Sequence, residues 1–284
     1  RLREGSGVGG VGRPAHPAAT RHPLTRAQVS LPSPKREGLA SIRRDVHFCD
    51  MVHVSFALEF AGEEWHLTRS GALFWPREKA LLVADLHLEK ASFYAMRGQM
   101  LPPYDSRETL ERVAEAIRET GARRVFTLGD NFHDDAGPAR MEPHAAGMLA
   151  ALTRATDWVW ITGNHDAAMA ACAGGTPADE LEISGVVLRH RALPGERRPE
   201  LSGHFHPKVQ LRLRDRPVRR ACAVVSRGGD GGERMILPAF GAFTGGMDAA
   251  HPAIRDALQP ARAIDAVIHA RGKLVSLPLW REAA

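Results

Sequence analysis

Cysteine is scarce in this sequence, and long apolar runs are missing. The chain of 284 residues has three cysteines, Cys49, Cys172 and Cys222, which lie far apart and in no zinc-knuckle spacing. This pattern excludes a disulfide framework, and we expect reduced, mainly structural thiols. No stretch approaches the ~18 apolar residues of a membrane span, and the basic N-terminal region lacks the apolar core of a secretory signal. The sequence therefore predicts a cytoplasmic protein with no membrane partner.

Net charge is also lacking in most of the chain. The whole sequence carries +5, but the first fifty residues alone contain nine Lys and Arg against four Asp and Glu, so the remainder is balanced. The overall basicity is therefore no evidence for nucleic-acid binding. A content of 44% hydrophobic and 25% charged residues is that of a globular protein and excludes disorder throughout.

Residues 1–50 mix glycine, proline and scattered arginine without periodicity. Such a segment cannot bury enough apolar surface to offset its chain entropy. We expect a disordered extension here, or a non-native leader that arose from a misplaced start or from expression. An arm that binds an anionic partner is the alternative. Met51 is followed by alternating residues typical of antiparallel strands, so we expect one domain over 51–284.

The pattern after residue 80 predicts an α/β fold. Four short apolar runs, at residues 81–84, 125–128, 158–162 and 186–188, are typical of buried strands. Residues 105–121 predict a helix that starts with an Asp105 cap and a Glu108 capping box and ends at Gly121. A second helix is predicted over 142–153, and alternating strands after residue 203.

Polar residues that bind metals follow the apolar runs directly. The motifs are Asp85-Leu86-His87, Gly129-Asp130-Asn131, Gly163-Asn164-His165-Asp166, His190 and Gly203-His204-Phe205-His206. Loops at the carboxyl ends of strands converge on one crevice in α/β architectures, so we expect these motifs to meet. Their glycines are expected where the backbone turns tightly.

These motifs supply seven candidate metal ligands. They are Asp85, His87, Asp130, Asn164, His190, His204 and His206. Carboxylate, imidazole and amide donors suit Mn, Fe, Zn or Mg, and the absence of cysteine argues against a structural zinc site. Seven ligands are too many for one ion with an open position. They fit two divalent ions ~3.5–4 Å apart that share a bridging carboxylate.

The order D-x-H, G-D-N, G-N-H-D, H, G-H-x-H resembles the calcineurin-like metallophosphoesterases. That resemblance implies a four-layer α-β-β-α sandwich of two packed mixed sheets flanked by helices, with a dinuclear centre at the strand ends that hydrolyses phosphate esters. A narrower resemblance, to the bacterial ligase-associated DNA damage response endonucleases of the PdeM type, is carried by four segments. They are Ala84 to Lys90, Gly129 to Asp134, Gly203 to Lys208 and Leu237 to Gly246.

The resemblance also implies roles for single residues. Asp85, His87, Asp130 and His206 would hold one ion, and Asp130, Asn164, His190 and His204 the other, manganese being expected first and iron, zinc or magnesium as alternatives. His165 would stabilise the transition state or protonate the leaving alkoxide, and Asp166 would orient its ring. A helix N-cap is the alternative role for Asp166.

A basic segment follows the last ligand motif and offers a candidate substrate surface. Lys208, Arg212 and Arg214 are the predicted contacts, because arginines that alternate with leucines would share one face of a strand and face a polyanionic backbone. Charge that keeps an edge strand from pairing is the alternative.

Three functions remain open from the sequence. The first is a metal-dependent phosphodiesterase or endonuclease of DNA repair, with DNA as substrate and, by resemblance, ligase, helicase or exonuclease partners. The second is a phosphatase or nucleotide hydrolase of the same fold. The third is a non-catalytic, metal-stabilised repair scaffold.

Overall fold

Two sheets and five helices position the loops that carry the predicted ligands. The computed structural model describes residues 55–164, 166, 174–214, 216–229, 232–270 and 272–283, and every count below refers to these residues. The prediction for residues 1–50 lies outside them, and the single domain over 51–284 stays a prediction. Within the described ranges, no helix is long and apolar enough to cross a membrane.

The first sheet has seven strands that lie side by side in the order of the sequence. They are β1 Ser55–Phe60, β2 Glu63–Thr68, β3 Leu73–Trp75, β4 Ala80–Val83, β5 Arg124–Leu128, β6 Asp157–Ile161 and β7 Thr176–Ala178. The first four form an antiparallel meander, and β4 to β7 run parallel. The apolar runs predicted as strands are confirmed in β4, β5 and β6.

The second sheet also has seven strands, in the order β16-β15-β13-β14-β10-β9-β8. They are β8 Glu180–Ile183, β9 Val186–Arg189, β10 Glu200–Ser202, β13 Ala223–Arg227, β14 Arg234–Ile236, β15 Ala263–Ala270 and β16 Lys273–Arg281. β9, β10 and β14 are parallel neighbours, and the other pairs are antiparallel.

Alternation of side chains along the strands builds four layers. Leu82 of β4 and Val225 of β13 belong to an apolar core that the two sheets share. Leu81 faces the other way and packs with helices α2 (Asp105–Thr120) and α4 (Pro143–Ala155). On the far side, Val224 packs with α5 (Pro252–Ala257). The α-β-β-α sandwich of two mixed sheets is therefore confirmed.

The two predicted helices are present, but the start of α2 differs from the prediction. Its N-cap is Tyr104, without a side-chain cap, so the capping box is wrong. The Asp105 carboxylate instead accepts a hydrogen bond from the backbone N–H of Ala91, 2.9 Å away, in α1 (Lys90–Ala95). Gly121 ends the helix at φ 68°, as predicted. The short helix α3 (Gly137–Arg140) precedes α4.

The basic segment forms a hairpin, β11 (Lys208–Leu213) with β12 (Arg216–Ala221), which is a separate two-stranded sheet among the described residues. Arg212 and Lys208 share one face with Arg219, since the register pairs Gln210 with Arg219, while Val209 is buried on the other face. Arg214 lies in the turn, beyond the strand, at φ 48°. The predicted strand face therefore includes Arg212 but excludes Arg214.

Candidate metal centre

Six of the seven predicted ligands come together at the carboxyl ends of four strands. Asp85 and His87 follow β4, Asp130 follows β5, His190 follows β9, and His204 and His206 follow β10. β4 pairs parallel with β5 in one sheet and β9 with β10 in the other, so each pair delivers its loops at one edge. Hydrogen bonds continue past the strand ends, where the N–H of His87 donates to the Asp130 carbonyl at 2.9 Å.

The first group of ligands consists of Asp85, His87, Asp130 and His206, whose donor atoms lie within 4.8 Å of one another. Nε2 of His87 is 3.2 Å from Nε2 of His206, and Nε2 of His206 is 3.4 Å from Oδ1 of Asp85. Oδ2 of Asp130 is 3.8 Å from Nε2 of His87. Two carboxylates and two imidazoles thus converge on one small volume.

The second group consists of Asp130, His190 and His204. Oδ1 of Asp130 is 3.5 Å from Nε2 of His190, which is 3.0 Å from Nδ1 of His204. Asp130 therefore turns one oxygen toward each group. This is the arrangement expected of a carboxylate that bridges two ions.

The donor atoms fit divalent cations. Asp85 and Asp130 are buried, and Oδ1 of Asp130 has no hydrogen-bond partner among the described residues. A buried carboxylate oxygen without a hydrogen bond is costly unless a positive charge meets it. A proton on Nδ1 of His190 donates to the carbonyl of Leu128 at 3.0 Å, which leaves the lone pair of Nε2 facing Asp130.

The surroundings of His204 favour its neutral, ligating form. Burial lowers the pKa of His204, and the neighbouring His190 and Arg191 lower it further, against the opposing effect of Asp85 and Asp130. Arg191 lies over the ring of Phe205, 5.9 Å from its centroid. Arg191 thus acts on the electrostatics of a candidate ligand.

Five of the six converging ligands have a left-handed backbone. Their φ angles are 52° for Asp85, 44° for His87, 47° for Asp130, 73° for His204 and 48° for His206. Residues other than glycine rarely adopt this region, and they cluster at functional sites when the surrounding fold enforces it. The backbone conformation is therefore unfavourable at the same residues whose side chains converge.

Three predicted site residues remain, Asn164, His165 and Asp166. Asn164 is exposed and follows Gly163, and its role as a ligand stays a prediction. His165 lies outside the described residues. The Asp166 carboxylate is buried and accepts hydrogen bonds from the backbone N–H groups of Asn131 and Gly163, at 3.0 and 2.8 Å. Burial raises the pKa of Asp166, and these backbone donors partly oppose that effect.

Sequence reasoning missed an aromatic surface near the first metal motif. Tyr104 is 51% exposed and Phe243 is 39% exposed, and their ring centroids are 5.8 Å apart. Phe243 has φ 58°, an unusual value for an exposed aromatic residue. The turn that carries it abuts the metal loop, since a Cβ on Gly241 would lie 2.0 Å from the carbonyl oxygen of Leu86.

A second aromatic group lies against His87 itself. The ring of His133 is stacked on Tyr94 and lies edge-on to Phe93, with Nδ1 of His133 3.4 Å from Nδ1 of His87. Tyr104 and Phe243, the exposed pair, lie 139 positions apart in the sequence. Only the fold brings them together, so no periodic pattern in the sequence predicts them.

The candidate ligands converge from two packed sheets, as the resemblance of the motif order to the calcineurin-like phosphoesterases implied. A family model for the calcineurin-like phosphoesterases matches residues 79–212, a range that contains every candidate ligand. Residues 79–212 therefore match a calcineurin-like phosphoesterase domain, and the chain is a metal-dependent phosphate-ester hydrolase, as the order of motifs predicted. Members of this family use divalent metals.

Among solved structures, the chain is similar to the nuclease MPE of Pseudomonas putida. The two are 28% identical, with a TM-score of 0.58, and the match covers 79% of this chain and 100% of that chain. The phosphoesterase Yfce of E. coli is more distant, at 14% identity and a TM-score of 0.35, with 71% of this chain and 99% of that chain covered. No curated protein sequence matches the chain.

Proposed function

We propose that this chain is a two-metal phosphodiesterase that cuts DNA as an endonuclease. The observation that carries the proposal is the position of Asp130, whose two carboxylate oxygens face two separate groups of ligands. A single ion could contact only one of these groups, and the donor atoms of the other group would then have no cation. The similarity to a nuclease supports a phosphodiester substrate.

Each part of the centre has a distinct task in this proposal. Two bound cations would neutralise the phosphate oxygens and lower the pKa of a water that attacks phosphorus in line. Asp85, His87 and His206 hold one cation and His190 and His204 the other, with Asn164 completing the second set. His165 transfers a proton to the leaving alkoxide oxygen, and Asp166 orients the His165 ring.

The surface beside the centre supports a nucleic-acid substrate. Lys208 follows His206 by two residues, and its Nζ donates to the carbonyl of Thr244 at 2.9 Å, next to Phe243. Arg212 lies on the same hairpin face. Cations contact the phosphates of a strand, and exposed aromatic rings stack on its bases. The assignment to DNA repair, and any ligase, helicase or exonuclease partner, rests on the sequence resemblance.

The proposal is tested with a substrate panel in Mn, Mg, Zn and Fe. We expect manganese-stimulated cleavage of single-stranded DNA and of bis-p-nitrophenyl phosphate. His165→Ala should keep the metal content and lose turnover by a factor of about 10²–10⁴, the usual range for a general acid. Asp130→Asn should lose both.

Two results would overturn the proposal. Activity on monoesters or nucleotides alone, with none on diesters, would make the enzyme a phosphatase or nucleotide hydrolase. Full metal occupancy with no turnover of any ester would favour a metal-stabilised scaffold. Full activity of His165→Ala would contradict the role given to that residue alone.

A further inference from the structure

A cavity of about 760 Å³ lies outside the metal centre. Its walls come from the turn after β2, helix α2, the β11–β12 hairpin and the end of β15, and none of the metal ligands lines it. Its volume is within the range of small-molecule pockets, ~300–1,000 Å³. The phosphoesterase reaction assigns it no role.

The charged residues that line this cavity are all arginines. Arg69, Arg112 and Arg220 line it, and no carboxylate is among its lining residues. Arg69 and Arg220 are exposed, and among the described residues neither belongs to an ion pair. Arg220 is opposite buried Val209, so the two residues share one face of the hairpin. Glu115 and Glu119 lie with Arg69 and Arg112 in an adjoining pocket, not in this cavity, so the cavity itself suits an anion.

One of the three arginines is held in place by the fold. Nη2 of Arg112 donates to the carbonyl of Ser70 at 3.1 Å, and its guanidinium lies over the ring of Phe240, 4.6 Å from the centroid. Burial lowers the pKa of Arg112, with Glu108 as the acidic group that opposes this shift. A planar, positioned guanidinium with free donors is suited to a phosphate group.

The rest of the lining is apolar and includes Leu67, Leu211, Pro238 and Val267. We propose that this cavity binds a small organic anion of nucleotide size, with a phosphate group on the arginines and an aromatic or aliphatic body on the apolar floor. The occupant is either a free mononucleotide or the terminal nucleotide of a DNA strand, which present the same chemistry.

The cavity is separate from the metal centre but touches the segments that support it. Ala239 lines the cavity and pairs with Ala84, the residue before Asp85. The N–H of Cys222, another lining residue, donates to the carbonyl of Pro207 at 3.1 Å, next to His206. A ligand in the cavity would therefore contact the residues that anchor two metal loops.

The test uses the full chain in EDTA, so that the metal centre takes no part and the result is independent of nuclease activity. The probe is 8-anilino-1-naphthalenesulfonate, an aromatic body with one anionic group, followed by fluorescence. We expect saturable binding that is at least about tenfold weaker in the Arg69→Gln/Arg220→Gln variant. The control Arg107→Gln/Arg123→Gln removes the same charge from exposed positions outside the cavity and should bind as the parent does.

Competition then identifies the occupant. Displacement by dAMP supports a free nucleotide, and displacement only by an oligonucleotide with a 5′-phosphate supports a strand end. Equal binding by the cavity variant and the control would overturn the proposal. Displacement by octanoate with no effect of either nucleotide form would overturn the phosphate assignment.

Discussion

Close packing limits which residues can occupy positions at the metal centre, as the chemistry of the ligands does. A Cβ on Gly163 would lie 2.2 Å from the backbone N of Asp130, and one on Gly203 would lie 2.7 Å from Oδ2 of Asp85. Neither glycine has a positive φ. Their missing side chains therefore allow one ligand loop to pack directly on another.

Replacing Gly163 by alanine should damage the centre without changing its ligands. The added Cβ meets rigid backbone, so Asp130 must shift. We expect a loss of bound metal and a destabilisation of about 1–3 kcal/mol, typical of overpacking. Metal analysis and denaturant unfolding measure the two effects.

The matched control is Gly147→Ala, in the middle of α4, where a Cβ would meet nothing within 4 Å. It should keep its metal and gain about 0.5–1 kcal/mol, because alanine is the better helix former. If both alanine variants kept full metal content, close packing at Gly163 would be irrelevant to the site.

At this scale the convergence of the candidate ligands could be predicted from the sequence, but only part of the reason for the glycines could. Asp85, His87 and Asp130 directly follow apolar strands, so chain order alone places them at one edge. Tight turning was the expected reason for the glycines, and it fits Gly129, at φ 77°. The requirement at Gly163 comes from a neighbouring loop, which a pattern within one segment cannot reveal.

At the scale of elements, Asp166 ties the end of β6 to the end of β5. Its carboxylate accepts from the backbone N–H of Gly163 after β6, and from the N–H groups of Asn131 and Phe132 after β5, at 2.8 to 3.2 Å. The side chain of Asn131 also donates to it at 2.9 Å. One acceptor thus holds two ligand loops in register.

Asp166→Asn should weaken this connection, because the new NH₂ group faces N–H donors and leaves one of them without an acceptor. We expect a destabilisation of about 1–3 kcal/mol, in both the presence and the absence of metal. Asp179→Asn is the control, an exposed residue that accepts one hydrogen bond, from Thr162 at 2.7 Å. Its effect should stay within about 0.5 kcal/mol. Equal unfolding midpoints for the two variants would contradict the role of Asp166.

Elements with strong local signals were predictable, and elements held by distant contacts were not. The apolar runs and the Gly121 stop identified the central strands and α2. Helix α1 has no side-chain cap and begins after Glu89 at φ 65°. It is fixed instead by Asp105 and Ser106 of α2, which hydrogen-bond to Ala91 and Glu89. Strand β12 is largely exposed and basic, so it shows no apolar alternation.

For the molecule as a whole, the centre concentrates negative charge in a body without net charge. Asp85 and Asp130 are buried close together, and Oδ1 of Asp85 is 3.4 Å from His206 while Oδ1 of Asp130 is 3.5 Å from His190. Five ligands also carry left-handed backbones. Without bound cations these features oppose folding, so we expect metal binding to stabilise the folded chain.

Metal removal should therefore lower the melting temperature. The variant Asp130→Asn should distinguish stabilisation by cation binding from stabilisation by packing. A ligand at 100 times its Kd adds about 2.7 kcal/mol, which corresponds to a shift of roughly 5–10 °C for a chain of this size. The parent should show such a shift between EDTA and excess Mn²⁺, and Asp130→Asn should show little. In EDTA, however, the variant should melt no lower than the parent, because asparagine removes a buried charge and tolerates the left-handed φ. A variant that is less stable than the parent in EDTA, or that keeps the full Mn²⁺ shift, would show that Asp130 supports the fold by its packing and not by binding cations.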